Sequence, residues 1–162
     1  MTNDEIQKQQ EIKHKPIIGR IKKFSQRLYE KYDVPARKIM KEKLGDHVKD
    51  NPNIYEEDML LDIPDCKYKF LELQVCTSWL DGKYPHEQPF VYARKKLFSD
   101  LTLFLVLNKT MTRGLLFNKE SLLDTPRRIK KYSRSFVYEV PWYRVMEICI
   151  NALDIETIKL YY

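Results

Sequence analysis

Between positions 62 and 74 the chain places Asp62, Asp65, Glu72 and Gln74, oxygen-bearing side chains spaced to share a small site. Asp62 and Asp65 lie where a short apolar run, 59–63, gives way to a turn at Pro64. Glu72 and Gln74 fall in the next run, 67–75, where they alternate with Leu71, Leu73 and Val75. Alternation at period two marks a strand, so Tyr68, Phe70, Glu72 and Gln74 share one face. If the two runs pair, an aspartate from the first meets Glu72 on that face. Two carboxylates in one site repel, and a divalent cation relieves the repulsion; hard oxygen ligands suit Mg²⁺ or Mn²⁺. Such an ion polarises a phosphodiester and lowers the pKa of a bound water. Gln74 can place that water or touch a phosphate, but it cannot act as a charged base. The competing reading is a solvated sheet face with no chemistry.

A second cluster is basic. Arg127, Arg128, Lys130, Lys131 and Arg134 surround Tyr132, with Phe136 just beyond. Cations neutralise phosphates and a tyrosine stacks on a base, so the run is a candidate nucleic-acid contact. An ordinary solvated face is its alternative. Lys22, Lys23 and Arg27 form a weaker patch. The net charge of +6 and pI of about 9.1 favour polyanionic partners, namely nucleic acid, an anionic membrane surface or an acidic protein; ordinary solubility is the alternative.

Several chemistries are disfavoured. Cys66, Cys76 and Cys149 are odd in number and lack CxxC spacing, against a disulfide framework or a zinc site. They point to a reducing, intracellular setting: cytoplasm, nucleus or a virion. His14, His47 and His86 show no ligand spacing; His86 beside Glu87 is a general-base candidate or a loop histidine. Cys76 lacks a Cys–His pattern and reads as a small buried side chain. Four glycines and no phosphate-cradling motif argue against a nucleotide cofactor. No run approaches the roughly 20 apolar residues of a membrane span, and no secretory leader is evident.

The elements that must position these residues follow from periodicity. Residues 1–15 read as a flexible polar tail, and 16–162 as a single α/β (α+β) domain. Ile17, Ile21, Phe24 and Leu28 predict a helix face. Asp33 and Pro35 predict the start of a second helix bearing Ile39, Met40 and Leu44, with Gly45 as its stop. Strands are expected at 59–63, 67–75, 101–107, 115–117 and 136–140. Residues 101–107, apolar on both faces, should be central. Residues 79–89 read as loop and 89–99 as a helix opened by Pro89. Residues 145–150 are either strand or helix, and 154–162 a short helix. The sum is a mixed central β-sheet flanked by helices.

Pro64-Asp65 followed by Glu72-Leu73-Gln74 resembles the PD-(D/E)XK nuclease superfamily. That resemblance covers roughly residues 17–107. It implies a restriction-endonuclease-like core and Mg²⁺-dependent hydrolysis of DNA, with Asp65 and Glu72 as metal ligands and Asp62 as an alternative to Asp65. Gln74 stands where the family has Lys. The resemblance offers Lys95 or Lys96 on the following helix as the displaced lysine, and Glu30 as an early acidic residue. Gln88 and Tyr92 have a Q-x-x-x-Y spacing seen in one branch. The alternatives are a non-catalytic nucleic-acid-binding domain and a virion structural or assembly protein, the latter because many Lys, Tyr and Ile with few Gly resembles proteins of large DNA viruses.

Overall fold

The computed structural model describes residues 25–128 and 136–161. The expected polar tail, the helix face of Ile17, Ile21 and Phe24, and Lys22, Lys23, Lys130, Lys131, Tyr132 and Arg134 lie outside the described residues.

Helical backbone begins at Gln26–Leu28, capped by the Ser25 hydroxyl, which accepts from Leu28 N–H. It passes through a π-helical turn, Tyr29–Asp33, into α1, Val34–Leu44. The sequence predicts a break here with Asp33 as cap; instead the helix is continuous and Asp33 makes no side-chain cap. Pro35 lacks an N–H and crowds the preceding turn. One widened turn, in which Val34 N–H reaches Tyr29 O, accommodates it without a break. Gly45 ends the helix as expected, with φ 58°, a conformation that favours glycine.

Next come β1 (Val48–Asp50), β2 (Met59–Leu61) and β3 (Phe70–Cys76). The segment predicted as a helix after Pro89 is instead β4 (Phe90–Tyr92) followed by a 3₁₀ turn, Ala93–Leu97. Phe90, Val91 and Tyr92 favour extended backbone, and the strand finds a partner at 137–139. The remaining strands are β5 (Thr102–Asn108), β6 (Arg113–Asn118), β7 (Arg127–Arg128), β8 (Phe136–Glu139) and β9 (Met146–Cys149). A short α2, Ile155–Lys159, closes the chain, with Asp154 and Thr157 forming a reciprocal cap.

The strands form a six-stranded mixed sheet, β1-β2-β3-β5-β6-β9, and a three-stranded sheet, β4-β8-β7. β3 and β5 run parallel and the other described pairs are antiparallel. β5 is buried along its whole length, as its uniform apolarity predicts. The register aligns Glu72 with Phe104, Gln74 with Val106 and Cys76 with Asn108. It then aligns Phe104 with Phe117, Val106 with Leu115, and Leu115 with Glu147. Directly paired residues share a face. One face of the large sheet therefore carries Glu72, Gln74, Cys76, Leu115, Arg113 and Glu147.

A buried polar network ties the end of β6 to the C-terminus. Asn118 donates to the Tyr68 hydroxyl at 2.8 Å and accepts from Ser121 N–H and Oγ at 2.9 and 2.6 Å. Its own N–H donates to the Tyr161 hydroxyl at 3.0 Å. Asn118→Ala leaves several of these groups unpaired, so the prediction is a loss of about 2–4 kcal/mol. Urea denaturation followed by tryptophan fluorescence reads it, and a loss of under about 0.5 kcal/mol would contradict the assignment.

Candidate active site

β2 and β3 bring a carboxylate pair together, and the partner of Glu72 is Asp58. Met59 pairs with Leu71, so the same register places Asp58 opposite Glu72 at the end of the ladder. The two side chains extend that ladder. Asp58 N–H donates to Glu72 Oε1 at 2.9 Å, and Leu73 N–H donates to Asp58 Oδ2 at 2.9 Å. The loop before Asp58 is anchored by buried Glu57, whose Oε1 accepts from Ser99 N–H and Thr102 Oγ1, both at 2.8 Å. The start of β5 thus fixes the approach to β2.

Asp62 and Asp65 lie elsewhere. Both are exposed. Asp65 has φ 60° and sits in a turn closed by Cys66 N–H donating to Ile63 O at 3.3 Å. Pro64-Asp65 is thus turn chemistry: proline presets one torsion and aspartate tolerates the left-handed conformation. The sequence signal that pointed to Asp65 is explained by this turn. Asp58 belonged to a different signal, the acidic run Glu56-Glu57-Asp58 at the mouth of β2.

Two cations face the pair. Lys95 Nζ lies 3.1 Å from Glu72 Oε2, and both side chains are buried, at 6% and 8% exposure. Arg37 of α1 lies 2.9 Å from Asp58 Oδ1 and also donates to Asp58 O at 3.0 Å. Gln74 links the site to the crossover. Its Oε1 accepts from Lys95 Nζ at 3.3 Å and its Nε2 donates to Phe90 O at 3.1 Å. The amide therefore fixes the ammonium of Lys95 beside position 74.

The structure separates the remaining candidates. Lys96 sits over the Tyr138 ring at 4.1 Å, away from the carboxylates. Glu30 is exposed and accepts from Gln26 at 2.8 Å; Arg37, on the same helical segment, is the residue that reaches Asp58. His86 packs edge-on against Tyr84 and Phe90. Cys76 Sγ contacts Ser78 Oγ at 3.4 Å. Arg127 pairs with Glu139 at 3.0 Å, and Arg128 is exposed on β7. Arg37 escaped the sequence reading because its partner Asp58 lies 21 positions away, and Asp58 because its acidic run falls in a stretch that reads as loop.

Burial pushes the Glu72 carboxyl up to about 7; Lys95 opposes the shift and the nearby Asp58 carboxylate adds to it. The two carboxylates are thus close enough to compete for charge. A divalent ion answers that competition, and Mg²⁺ commonly takes only one or two protein carboxylates, the rest being water and phosphate. Among the described residues no group of three or more His, Cys, Asp or Glu gathers at one point. Asp58 and Glu72 are the carboxylates that β2 and β3 bring together, and all four of their oxygens accept from protein donors.

Comparison with family models, with curated proteins and with solved structures returned no match to this chain.

Proposed function

We propose that the chain is a metal-dependent phosphodiester hydrolase of the PD-(D/E)XK type, acting on DNA. The observation that carries the reading is Lys95. It reaches from the crossover after β3 to the Glu72–Gln74 face, so an ammonium stands where Gln74 would otherwise leave the site without one. The element order supports it as well: a helix, three antiparallel strands, a crossover with a helical turn, and a fourth strand parallel to the third.

Asp58 and Glu72 are the residues to hold Mg²⁺ or Mn²⁺, which when bound polarises the scissile phosphate and acidifies a water. Glu72 must be ionised for this, and Lys95 favours its ionised form. Lys95 also offers a donor to a phosphate oxygen, where negative charge grows during hydrolysis. Gln74 holds Lys95 against the Phe90 carbonyl, and Arg37 holds Asp58. The chain's excess positive charge favours DNA approach. Arg127 and Arg128 on β7 are the described part of the basic run assigned to the phosphate backbone.

A non-catalytic nucleic-acid-binding or virion protein is the second reading. One observation favours it: all four oxygens of Asp58 and Glu72 already accept from a protein donor. Incubation with supercoiled, linear and single-stranded DNA in Mg²⁺ or Mn²⁺ separates the two. Cleavage abolished by EDTA supports the hydrolase. A salt-sensitive gel shift without cleavage supports the second reading.

The pH profile gives a further prediction. Because protonation of Glu72 competes with the metal, the Mg²⁺ concentration needed for half-maximal cleavage should rise as pH falls below about 7. A metal requirement unchanged from pH 5 to 9 would remove Glu72 from the mechanism.

A further inference from the structure

A cavity of 680 Å³ opens at the far end of the sheet face that carries Glu72 and Gln74. Its size falls within the range of small-ligand sites, about 300–1,000 Å³. Trp79, Tyr84 and Trp142 line it, with Lys83, Arg113 and Glu147. The Tyr84 ring meets Trp79 edge-on at 5.4 Å and Trp142 edge-on at 5.8 Å, so the three rings form one wall. Both indole N–H groups are already committed: Trp79 Nε1 donates to Gly82 O at 3.1 Å and Trp142 Nε1 to Glu87 O at 2.7 Å. That anchoring fixes the rings: Trp79, 3% exposed, and Tyr84 back the wall, and Trp142, 37% exposed, is the ring left open to contact. Tyr84 is only 5% exposed, and its hydroxyl has no hydrogen-bond partner among the described residues.

The charges at the rim are available. Lys83 and Arg113 are both exposed, and neither takes part in an ion pair among the described residues. Arg113 also reaches Gly82 O at 3.5 Å. An aromatic ring beside cations without an ion-pair partner forms the combination that binds an unpaired base and its phosphate. Base–aromatic stacking is worth about 1–3 kcal/mol per base. Along the sheet, Gln74 and Glu147 occupy one level three strands apart, or roughly 15 Å at the usual spacing of about 4.8 Å.

We infer that this cavity is a binding site for an unpaired nucleotide of a single-stranded stretch. The base stacks on Trp142, which Tyr84 and Trp79 back, and the phosphate meets Lys83 and Arg113. The site would hold the strand within reach of the carboxylate pair. This rests on the hydrolase reading for the identity of the polymer, though binding at the cavity does not require cleavage.

The chain has two tryptophans and both line the cavity, so intrinsic emission reports on it directly. The full-length Glu72→Gln protein is titrated with short oligothymidylate, with emission and fluorescence anisotropy of a labelled strand read together. The expected result is saturable quenching that tracks the anisotropy and weakens with salt. Arg113→Glu and Lys83→Glu, at exposed positions, should each weaken binding about tenfold with melting temperature unchanged. Binding by anisotropy with unaltered emission and no effect of either variant would overturn the site. So would no binding of single strands by a protein that cuts duplex DNA. Quenching in a protein that cuts nothing sinks the hydrolase and retains the cavity.

Discussion

Asp58→Asn is expected to lower DNA cleavage by at least about a hundredfold, while Asp62→Asn and Asp65→Asn stay within about twofold of the parent. Asp58 shares the end of the β2–β3 ladder with Glu72, whereas Asp62 and Asp65 are exposed beyond it. The substitution keeps the size of the side chain but removes its charge. One amide orientation still accepts from Leu73 N–H, and then turns its NH₂ group toward Arg37, which needs an acceptor. A stability cost of about 1–3 kcal/mol follows from that mismatch. Rates should therefore be taken per folded molecule, with thermal melts alongside. An Asp65→Asn protein as inactive as Asp58→Asn would move the site into the turn and refute the assignment.

Lys95→Met should also reduce cleavage by about a hundredfold or more, and Lys96→Met by no more than a few-fold. The methionine has nearly the same length without the ammonium. Two consequences of the buried pair distinguish this from a packing defect. Glu72 loses the ammonium that favours its ionised form, so the pH below which the Mg²⁺ requirement climbs should move above about 7. Stability should respond in a defined direction. Glu72 titrates higher in the folded chain than its ordinary 4.5, so the contribution of its neutral form is present below that pH and lost as pH rises through about 7. The parent protein should thus melt earlier at pH 8 than at pH 5 through this group, and Glu72→Gln should flatten that dependence. Lys96 by contrast rests half-buried on the buried Tyr138 ring, a contact worth roughly 0.5–2 kcal/mol. Equal losses from Lys95→Met and Lys96→Met would place neither in the chemistry.

Local pattern carried the strands well where both neighbours agreed with it. The apolar run at 101–107 became β5, and the alternation at 67–75 became β3 with Glu72 and Gln74 on one face. The assignment failed where a residue's partner is distant. Pro89 looked like a helix start because β4 acquires its identity only by pairing with β8, some 46 residues later (Val91 with Tyr138, 47). Pro35 looked like a break because the π-turn that absorbs it leaves no mark in hydrophobic spacing. In the site, Glu72, Gln74 and Lys95 were among the residues singled out. Asp58 was displaced by Asp65 because a Pro-Asp pair signals a turn and an acidic motif equally well. Arg37, on α1, reaches Asp58 across 21 positions, a distance at which periodicity says nothing.

The connection from β3 to β5 spans residues 77–101 and supplies both Lys95 and the Phe90 carbonyl that fixes Gln74. Parallel strands pair only after such a connection has closed, an entropically slow step. A nascent chain that ends before β5 would hold its two carboxylates without the backbone that sets Lys95 against them. Glu57 too would lack Thr102, its anchor on the first residue of β5. On the hydrolase reading, cleavage should therefore return on refolding later than strand content does.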